Sequence, residues 1–416
     1  MKKNKLLNKK NVEFSPSDKI CDSLEGHEMK MRIDWLSIVS RFHSEEEKTE
    51  FVQKLQSLLG REWTNYVVRE KSPEDAKGTR QKGTRHPYNY GLFISRNEPD
   101  APMLAYLMWG PKEAGTGGFS IQFHPQHMTG KRMDLILKWL SDRLGETFNH
   151  LLARAWVTRL DIALDIYGCK LNDYLWGLKR SSKYKDYDND NGLPGLSLGA
   201  LDSKLSVLIY GKIDVAHFKR IAFPERAGYV NEKGRRKREY FLEIDKEEHP
   251  QFLRVEVRIQ PESTGPGKRG CKQKALMLSG LSKLEHPFER LLVYKRKLEG
   301  ELTNAAFTVN RPETNGIKAW TNTLSDGDSK GRLARKFTKL LYLNEVELFN
   351  KHDVWSFWLP VCMAKLGQVI GGLKPEFATE REMAVSQLVV DTRKQKRKTR
   401  RQKRQEHPKS KFQHQS

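Results

Sequence analysis

Alternating apolar and polar residues, the pattern of a strand with one buried face, are clearest at Trp156–Tyr167 (WVTRLDIALDIY). The opposite face of this strand carries Arg159, Asp161 and Asp165, a set that could serve one site or simply face water. The pattern predicts a strand and leaves that choice open. The core face is predicted to carry the apolar residues Trp156, Leu160, Ile162, Leu164 and Ile166.

The same alternation predicts a hairpin at 196–212, with a turn at 199–203. In its second strand Tyr210 and Lys212 point away from the core. A strand at 252–260 likewise points Arg254, Glu256 and Arg258 away from its apolar face. Strands distant in sequence therefore present charged or hydroxylic groups opposite their apolar sides. Further strands are predicted at 32–42, 88–95, 103–109 and 117–123.

Apolar residues spaced three and four apart predict helices. One begins after Ser44, a suitable N-cap, with acidic residues in its first turn. A second, at 133–148, would run back over the sheet and lead into Trp156–Tyr167. The remaining predictions are a short helix at 172–180, a mobile polar loop at 181–192, and mostly helical structure after residue 274, notably at 333–348 and 355–370.

These elements predict an α+β fold, in which an antiparallel β-sheet has helices packed on one face and is followed by a mainly helical C-terminal region. The predicted division of the chain is a flexible basic N-terminus at 1–30, a sheet-containing domain at 31–265, a mainly helical region at 266–390 and a disordered basic tail at 391–416.

Charge adds a class of partner to this picture. The formal net charge is +23, and residues 393–411 hold eleven Lys or Arg against one Glu. Such density favours a phosphate-bearing partner, because neutralising phosphates releases counterions. A solubilising tail is the alternative, and a membrane surface is disfavoured because no apolar run approaches the ~20 residues of a spanning helix. The KGRRKR insertion is equally consistent with a solvated loop and a phosphate contact; its basic residues are Lys233, Arg235, Arg236, Lys237 and Arg238.

Cysteine usage and the N-terminus predict a compartment. The four cysteines are scattered without a CxxC pair, so neither a disulfide framework nor a zinc ribbon is indicated. The N-terminus has lysines but no apolar segment of a signal peptide. We therefore expect a reducing cytoplasm, that of a bacterial host cell if the protein belongs to a phage or plasmid.

The polar faces of the predicted strands suggest a metal-assisted chemistry. Carboxylates such as Asp161, Asp165 and Glu256, with His124 as a possible neighbour, are suited to Mg²⁺ or Mn²⁺. A tyrosine beside such an ion could attack a phosphodiester, and Lys212 could stabilise its phenolate. The plain alternative is a solvated sheet face with a half-buried strand tyrosine at Tyr210. His124 and His127, three residues apart, do not share a strand face.

Four segments occur in the order and approximate spacing of the replication initiation factor family, the rolling-circle initiators of filamentous phages and some plasmids. They are GGFSIQFHPQH, VTRLDIALD, LGALDSKLSVLIYGK and LRVEVRIQ. The RLDIALD block resembles the family's Arg-hydrophobic-Asp strand, IYGK its Tyr-x-Lys segment and RVEVR its Arg-x-Glu strand. The opening RIDWLS is also similar, and the resemblance covers residues 32–260. A departure is Gly211, where the family often has an acidic residue.

The resemblance implies a nicking domain that cuts one strand of supercoiled or single-stranded origin DNA and stays joined to its 5′ end through tyrosine. By position, Tyr210 would be the nucleophile, Asp161 and Glu256 metal ligands, and Lys212 a phosphate or phenolate partner. A host helicase and polymerase are expected partners, and a homodimer is left open. The predicted DNA contacts are Arg159, Arg254, Arg258, the KGRRKR residues, Arg397, Arg400 and Arg401.

The leading hypothesis is a site-specific, metal-dependent endonuclease and strand transferase that initiates rolling-circle replication. A DNA-binding regulator without chemistry on the same fold is the alternative. A tyrosine recombinase is less well supported, because the helical half has no Arg-His-x-x-Arg and tyrosine set.

Overall fold

The computed structural model describes residues 6–8, 12–13, 18–22, 26–70, 87–97, 101–113, 116–181, 183–188, 193–200, 203–214, 241–243, 251–261, 276–298, 301, 316–317 and 330–371. Its strands are β1 Leu6–Asn8, β2 Val12–Glu13, β3 Asp18–Asp22, β4 Glu28–Ser40, β5 Tyr66–Glu70, β6 Tyr88–Arg96, β7 Met103–Pro111, β8 Phe119–Phe123, β9 Trp156–Tyr167, β10 Tyr174–Leu178, β11 Tyr184–Asp188, β12 Pro194–Leu198, β13 Leu205–Asp214, β14 Phe241–Glu243, β15 Gln251–Ile259 and β16 Leu291–Lys295.

A 12-stranded sheet dominates the described residues, with the order β11-β12-β13-β15-β9-β4-β8-β7-β6-β5. Neighbours along this path are antiparallel, β3 pairs antiparallel with β4, and β2 pairs parallel with β13. The strands predicted from alternation are therefore confirmed, and β9, which has the clearest alternation, lies near the middle between β15 and β4. This position explains why its apolar residues are wholly buried.

The helices are α1 Glu45–Gln56, α2 Gly130–Leu144, α3 Glu146–Ala153, α4 Lys330–Asn344, α5 Lys351–Ser356 and α6 Trp358–Gly371. Most of them pack on one face of the large sheet, whereas Phe337 of α4 packs in a separate cluster with residues of β10 and β16. The predicted cap is confirmed, since the Ser44 side chain accepts a hydrogen bond of 3.1 Å from the Glu47 amide. Side chains from α1, α2, α3 and α6 join those of the sheet in one apolar core. The α+β class predicted from the sequence is confirmed.

The helix predicted at 133–148 is interrupted, which corrects one boundary. Gly145 has φ of +77° and separates α2 from α3. A left-handed backbone suits glycine because it has no Cβ, so the chain turns here instead of continuing one long helix. Apolar spacing alone missed the break because both helices bury residues in the same core.

Two other local predictions are wrong. Residues 172–180, predicted to be helical, contain a short 3₁₀ turn at Leu171–Asp173 and the strand β10, which pairs with β16 in a separate two-stranded sheet. Residues 181–192, predicted to be a mobile loop, contain the edge strand β11. Both strands gain their hydrogen bonds from partners distant in sequence, or across a turn, which local composition does not encode.

The N-terminal residues predicted to be flexible include paired strands. Strand β1 pairs with β14, and β3 pairs with β4. In the C-terminal part, apolar residues such as Trp358 and Leu366 pack in the same core as the sheet. The basic tail predicted at 391–416 lies outside the described residues. Within the described part of the chain, no helix is both long and apolar enough to cross a membrane.

Register shifts between β4 and β9 change which residues face the core. Ile33 pairs with Ile162 and Trp35 with Asp161, so β4 has an extra residue there. Further along, Ser37 pairs with Arg159 and Ile38 with Val157, which leaves an extra residue in β9. Such β-bulges rotate the chain beyond them by one face.

The second shift corrects the prediction for Trp156. Val157, not Trp156, joins the main core, and Trp156 forms a small separate cluster with Val39 and Met277. The extra residue in β9 is Thr158, which interrupts the two-residue period between Trp156 and Leu160.

Candidate functional site

The polar groups predicted on separate strands meet on the sheet face opposite the helices. Strands β13, β15 and β9 are neighbours, so residues from distant parts of the chain stand side by side. Tyr210 pairs with Arg254, and Arg254 pairs with Asp165. Four residues further along β15, Arg258 pairs with Asp161. The antiparallel register therefore brings the predicted carboxylates and the tyrosine to one surface.

The first group on this surface is a buried ion cluster centred on Asp165. Arg254 donates to both Asp165 oxygens, with Nε–Oδ1 of 2.6 Å and Nη2–Oδ2 of 2.8 Å. Arg32 places its Nε 3.0 Å from Oδ2. Asp165 and Arg254 are both 0% exposed. Two guanidinium groups therefore lie within 3.0 Å of one buried carboxylate.

The geometry around Asp165 differs from the solvated alternative, because Asp165 is buried and its oxygens lie within 3.0 Å of arginine nitrogens. Arg254 is also buried, and its fork-shaped guanidinium meets the carboxylate bidentately. The roles of Asp165 as a metal ligand and of Arg254 as a DNA contact stay predictions.

The second group contains three carboxylates whose oxygens lie within 4.8 Å of one another: Asp34, Asp161 and Glu256. They come from β4, β9 and β15. Arg159 and Arg258 flank the group, with Arg159 Nε 3.0 Å from both Asp161 oxygens and Arg258 Nη2 3.3 Å from Glu256 Oε1. Their side chains are 26% and 13% exposed. Both arginines therefore remain partly accessible at the surface of the carboxylate cluster, unlike Arg254.

Asp34 was not predicted as a site residue. Asp34 is the extra residue of β4 at the first register shift. Asp34 and Trp35 therefore depart from the alternation that predicted this strand. The signal in the sequence is that Ile33 and Leu36, both in the core, are three residues apart in RIDWLS, which breaks the period of two. Such a break in a strand indicates a bulge, and bulges re-aim side chains beside sites.

The ionisation of Glu256 reflects its crowding. Burial, and then the neighbouring charges of Asp34 and Asp161, raise the pKa of the Glu256 carboxyl to about 7. Arg258 and the hydrogen bond from Tyr210 oppose that rise. Near neutral pH, Glu256 can therefore both hold and release a proton.

Tyr210 is hydrogen-bonded to this cluster. Its hydroxyl donates to Glu256 Oε2 at 2.8 Å. Burial, and then the charge of Glu256, raise the pKa of the Tyr210 hydroxyl well above its usual value, whereas Arg254 lowers it. The Tyr210 hydroxyl is therefore protonated near neutral pH, and it contacts a carboxylate that can accept its proton.

Lys212 has a different environment from the one predicted. It is 5% exposed, and its Nζ lies 5.9 Å from the centroid of the Tyr210 ring. Among the described residues, the positive charge that lowers the pKa of the Tyr210 hydroxyl is that of Arg254. The role of Lys212 as a phosphate or phenolate partner stays a prediction.

His124 lies beside the carboxylate cluster but outside it. It follows β8, and its ring packs edge-on against Trp35 with centroids 4.3 Å apart. His127 lies on the adjoining 3₁₀ turn, its ring centroid 6.1 Å away. Burial, and then the charge of His127, lower the pKa of His124 to about 4, so the imidazole is neutral at pH 7. Its buried Nε2 has no hydrogen-bond partner among the described residues.

The carboxylate cluster fits a hard divalent cation. Its ligand atoms are all oxygens, the set that Mg²⁺ and Mn²⁺ prefer. Asp34 Oδ1 is buried without a hydrogen-bond partner in the described part of the chain, and the nearest guanidinium nitrogen, Arg254 Nη1, is 3.9 Å away. A buried carboxylate oxygen left without a donor is costly, and a bound cation would satisfy it. The cluster could therefore hold a metal, and Asp34 joins the predicted ligands Asp161 and Glu256.

The remaining predicted DNA contacts fall elsewhere. The basic insertion at 233–238 and the arginines at 397, 400 and 401 lie outside the described residues. Their contact with DNA stays a prediction.

Comparison with known proteins adds little to this geometry. No protein-family model matches the chain, and no curated protein matches its sequence. One similar solved structure is a rolling circle replication initiator protein from Geobacillus stearothermophilus, with 15% identity over 56% of this chain and 75% of that one, at a TM-score of 0.27. So low a TM-score does not establish a common fold, and the function is inferred below from the residues of this chain.

Proposed function

We propose that the protein is a site-specific, metal-dependent DNA endonuclease and strand transferase that initiates rolling-circle replication. The observation that carries the proposal is the contact of a tyrosine hydroxyl, Tyr210, with one of three clustered carboxylates, Glu256, at 2.8 Å. A nucleophile, a proton acceptor and a set of hard oxygen ligands on one surface are the parts needed for tyrosine attack on a phosphodiester. The ordered family motifs identified in the sequence support the same reading.

Tyr210 would attack the scissile phosphorus in line with the departing 3′ oxygen. Its hydroxyl proton passes to Glu256 Oε2, which it already contacts. The new bond joins the Tyr210 oxygen to phosphorus, and the bond from phosphorus to the 3′ oxygen breaks. The products are a 5′-phosphotyrosine and a 3′ hydroxyl, the leaving oxygen taking up a proton. Strand joining is the reverse attack, by a 3′ hydroxyl on the phosphotyrosine, with the proton returned to Tyr210.

The neighbouring residues would orient and balance these charges. A divalent cation held by Asp34, Asp161 and Glu256 would supply Lewis-acid stabilisation of the scissile phosphate. Arg258 and Arg159, both partly exposed beside the carboxylates, are placed to meet the anionic DNA backbone. Arg254, fixed on Asp165, contributes a positive charge that lowers the pKa of the Tyr210 hydroxyl.

Origin DNA is the proposed partner, with the unpaired form as the reactive one. A nucleophile half-buried on a sheet requires the scissile phosphate to leave regular duplex geometry, which is easiest in single-stranded or extruded DNA. The excess of positive charge, +23 overall, favours a polyanionic partner. A host helicase, a host polymerase and a second copy of the chain remain predicted partners.

The deciding experiment compares Tyr210→Phe with the unsubstituted protein on supercoiled DNA carrying the cognate origin and Mn²⁺. We expect the substitution to abolish nicking and the covalent adduct, a loss of at least about 1,000-fold, because phenylalanine lacks the attacking oxygen. Denaturing gels report both products. DNA retention on a filter should stay nearly unchanged.

Two tyrosine variants make the experiment specific. Tyr187 is electrostatically coupled to Glu256 and pairs across Gly195 with Tyr210, so Tyr187→Phe tests a rival nucleophile on the same surface. Tyr90→Phe, at a residue 53% exposed on β6, is a distant control. An adduct that survives Tyr210→Phe, or is lost in Tyr187→Phe alone, refutes the assignment. Binding without a nick in every protein would favour a DNA-binding regulator.

A further inference from the structure

A second tyrosine lies on the same sheet face as Tyr210, and the proposed reaction does not use it. Tyr187 pairs with Gly195, and Gly195 pairs with Tyr210, so the three residues share one face across β11, β12 and β13. Tyr187 was not predicted as a site residue, because it falls in the stretch 181–192 that was predicted to be a polar loop. Strand pairing therefore brings two tyrosines into one row.

Gly195 lets the ring of Tyr187 extend toward Tyr210. A Cβ atom at Gly195 would lie 2.5 Å from Cζ of Tyr187 and 2.9 Å from its hydroxyl oxygen, well inside van der Waals contact. The end of the ring that carries the hydroxyl therefore occupies the space above β12, the strand next to that of Tyr210. Tyr187 is half-buried, so part of its side chain remains accessible to a ligand.

Electrostatics connect Tyr187 to the carboxylate cluster. Burial, and then the charge of Glu256, raise the pKa of the Tyr187 hydroxyl, whereas Arg258 lowers it. Burial and the charge of Glu256 are also the two largest influences on the Tyr210 hydroxyl. Both tyrosines are therefore protonated near neutral pH, and the same carboxylate acts on both.

The strand order gives the two tyrosines different positions relative to Glu256. Tyr210 lies on β13, between Tyr187 on β11 and Glu256 on β15, and its hydroxyl already donates to Glu256 Oε2. The first cut therefore falls to Tyr210. In Tyr210→Phe the ring still occupies this place, so Tyr187 does not take over the first cut. Once the Tyr210 oxygen is bonded to phosphorus, it has no proton to donate, and Glu256 can accept from a second donor.

The proposed function requires two cuts in each round of replication. After the first cut, Tyr210 holds the 5′ end of the strand, and the regenerated origin must be cut again before that strand can be closed. With its oxygen bonded to phosphorus, Tyr210 cannot attack a second phosphate. The second cut therefore needs another nucleophile.

We propose that Tyr187 is this nucleophile and makes the second cut while Tyr210 holds the first 5′ end. This inference rests on the proposed function. The Tyr187 oxygen bonds to the second phosphorus, the bond from that phosphorus to its 3′ oxygen breaks, and the hydroxyl proton passes to Glu256. The freed 3′ oxygen then attacks the phosphotyrosine at Tyr210 and closes the strand. The Tyr210 oxygen leaves and takes the proton from Glu256, so atoms and protons balance.

The test uses full-length protein in which Tyr210 is already occupied. A single-stranded origin oligonucleotide and Mn²⁺ form the first adduct, which is purified so that no free Tyr210 remains in any copy. A second origin oligonucleotide, labelled and uncut, is then added. We expect the unsubstituted protein to cut it and to join the piece that ends in a 3′ hydroxyl to the DNA on Tyr210. This gives a labelled hybrid strand on a denaturing gel.

Tyr187→Phe should form the first adduct normally but lose the exchange. We expect the initial rate of hybrid formation to fall at least about 100-fold, because this variant lacks the second attacking oxygen. Mass spectrometry of the unsubstituted protein after the exchange should find the new phosphotyrosine at Tyr187.

Two controls separate chemistry from folding. A second oligonucleotide that already ends in the 3′ hydroxyl needs no cut, so the Tyr187→Phe adduct should join it at the normal rate. Tyr184→Phe removes a tyrosine hydroxyl from the same strand, at a residue that pairs with Leu198 and packs against the main core, and it should change neither reaction.

The outcomes distinguish this proposal from the proposed function. Hybrid strands formed at the normal rate by Tyr187→Phe, or a new phosphotyrosine at another residue, would overturn the proposal and leave the first cut by Tyr210 standing. Loss of joining with the pre-cut oligonucleotide as well would make Tyr187 a structural residue and would also overturn it. Absence of the first adduct in the unsubstituted protein would overturn both.

Discussion

The sheet carries two charge clusters on strands β4, β9 and β15, and they differ in the sign of their excess charge. Around Asp165, two guanidinium groups lie beside one carboxylate, and Asp165 itself is 0% exposed. Around Glu256, three carboxylates approach within 4.8 Å of one another beside two guanidinium groups, and one oxygen, Asp34 Oδ1, has no hydrogen-bond donor among the described residues. The first cluster therefore has an excess of positive charge and the second an excess of negative charge.

This difference shows that one surface can hold carboxylates in two electrostatic environments. Asp165 is buried in a bidentate ion pair with Arg254. At the second cluster, burial and then the neighbouring charges of Asp34 and Asp161 raise the pKa of Glu256 to about 7, and the excess of negative charge favours a cation or a proton. Identical residue types in the same alternating pattern thus stand in different surroundings, which are set by their partners.

The largest expected effect is on stability at the Asp165 cluster. Asp165→Asn should lower the free energy of unfolding by about 3–5 kcal/mol, because Arg254 and Arg32 would be left buried without their counter-charge. Urea unfolding followed by circular dichroism measures it. Asp34→Asn serves as the matched carboxylate control and should not destabilise the protein. A loss of unfolding free energy below about 1 kcal/mol in Asp165→Asn would show that the Asp165–Arg254 pair contributes no more to stability than an exposed surface ion pair.

The next effect is on chemistry at the carboxylate cluster of Asp34, Asp161 and Glu256. Asp34→Asn should slow nicking about 100-fold, as expected when one pre-positioned electrostatic group is removed from a reacting site. Single-turnover nicking of origin DNA at saturating Mn²⁺ measures the rate. Unfolding should be unchanged or slightly less favourable, since one of three crowded negative charges is removed. A variant that nicks at the normal rate would exclude Asp34 from the site.

The pH dependence of unfolding tests the ionisation of Glu256. Because its folded pKa is raised to about 7 from an ordinary 4.5, the folded state binds more protons than the unfolded state between those pH values, and stability falls as pH rises through them. Glu256→Gln removes that loss. In EDTA the free energy of unfolding of this variant should exceed that of the unsubstituted protein by about 1–3 kcal/mol at pH 8 and equal it near pH 4.

Urea titrations at the two pH values measure this contrast. Glu62→Gln, at an exposed position, is the control and should follow the unsubstituted protein at both. An advantage of Glu256→Gln that is the same at both pH values would show that it comes from packing and not from ionisation.

The smallest effect is stabilisation by the cation itself. At pH 8, Mn²⁺ at roughly ten times its dissociation constant should stabilise the protein by about 1–2 kcal/mol, since it binds the folded cluster and not the unfolded chain. Differential scanning fluorimetry would detect this stabilisation as a rise in unfolding temperature. In Asp34→Asn, Mn²⁺ should no longer raise the unfolding temperature. An equal shift in that variant would place the ion elsewhere.

Much of this surface was predictable from single strands. Alternation assigned Asp161, Tyr210 and Glu256 to polar faces, and the faces are correct because a pleated strand with one buried side has a strict period of two. The strand at 252–260 and the hairpin at 196–212 were predictable for the same reason. The predictions failed where that period is broken, at the bulges that place Asp34 and Trp156.

By itself, the sequence determined the α+β class, the strands that carry the carboxylates and the tyrosine, and the basic character that favours a polyanion. Only the tertiary structure decided which charges meet. Strand order and register are set by contacts between segments far apart in the chain, and these chose Arg254 as the partner of Asp165 and Glu256 as the partner of Tyr210. A strand's own pattern says which way a residue points, but its partner is supplied by the neighbouring strand.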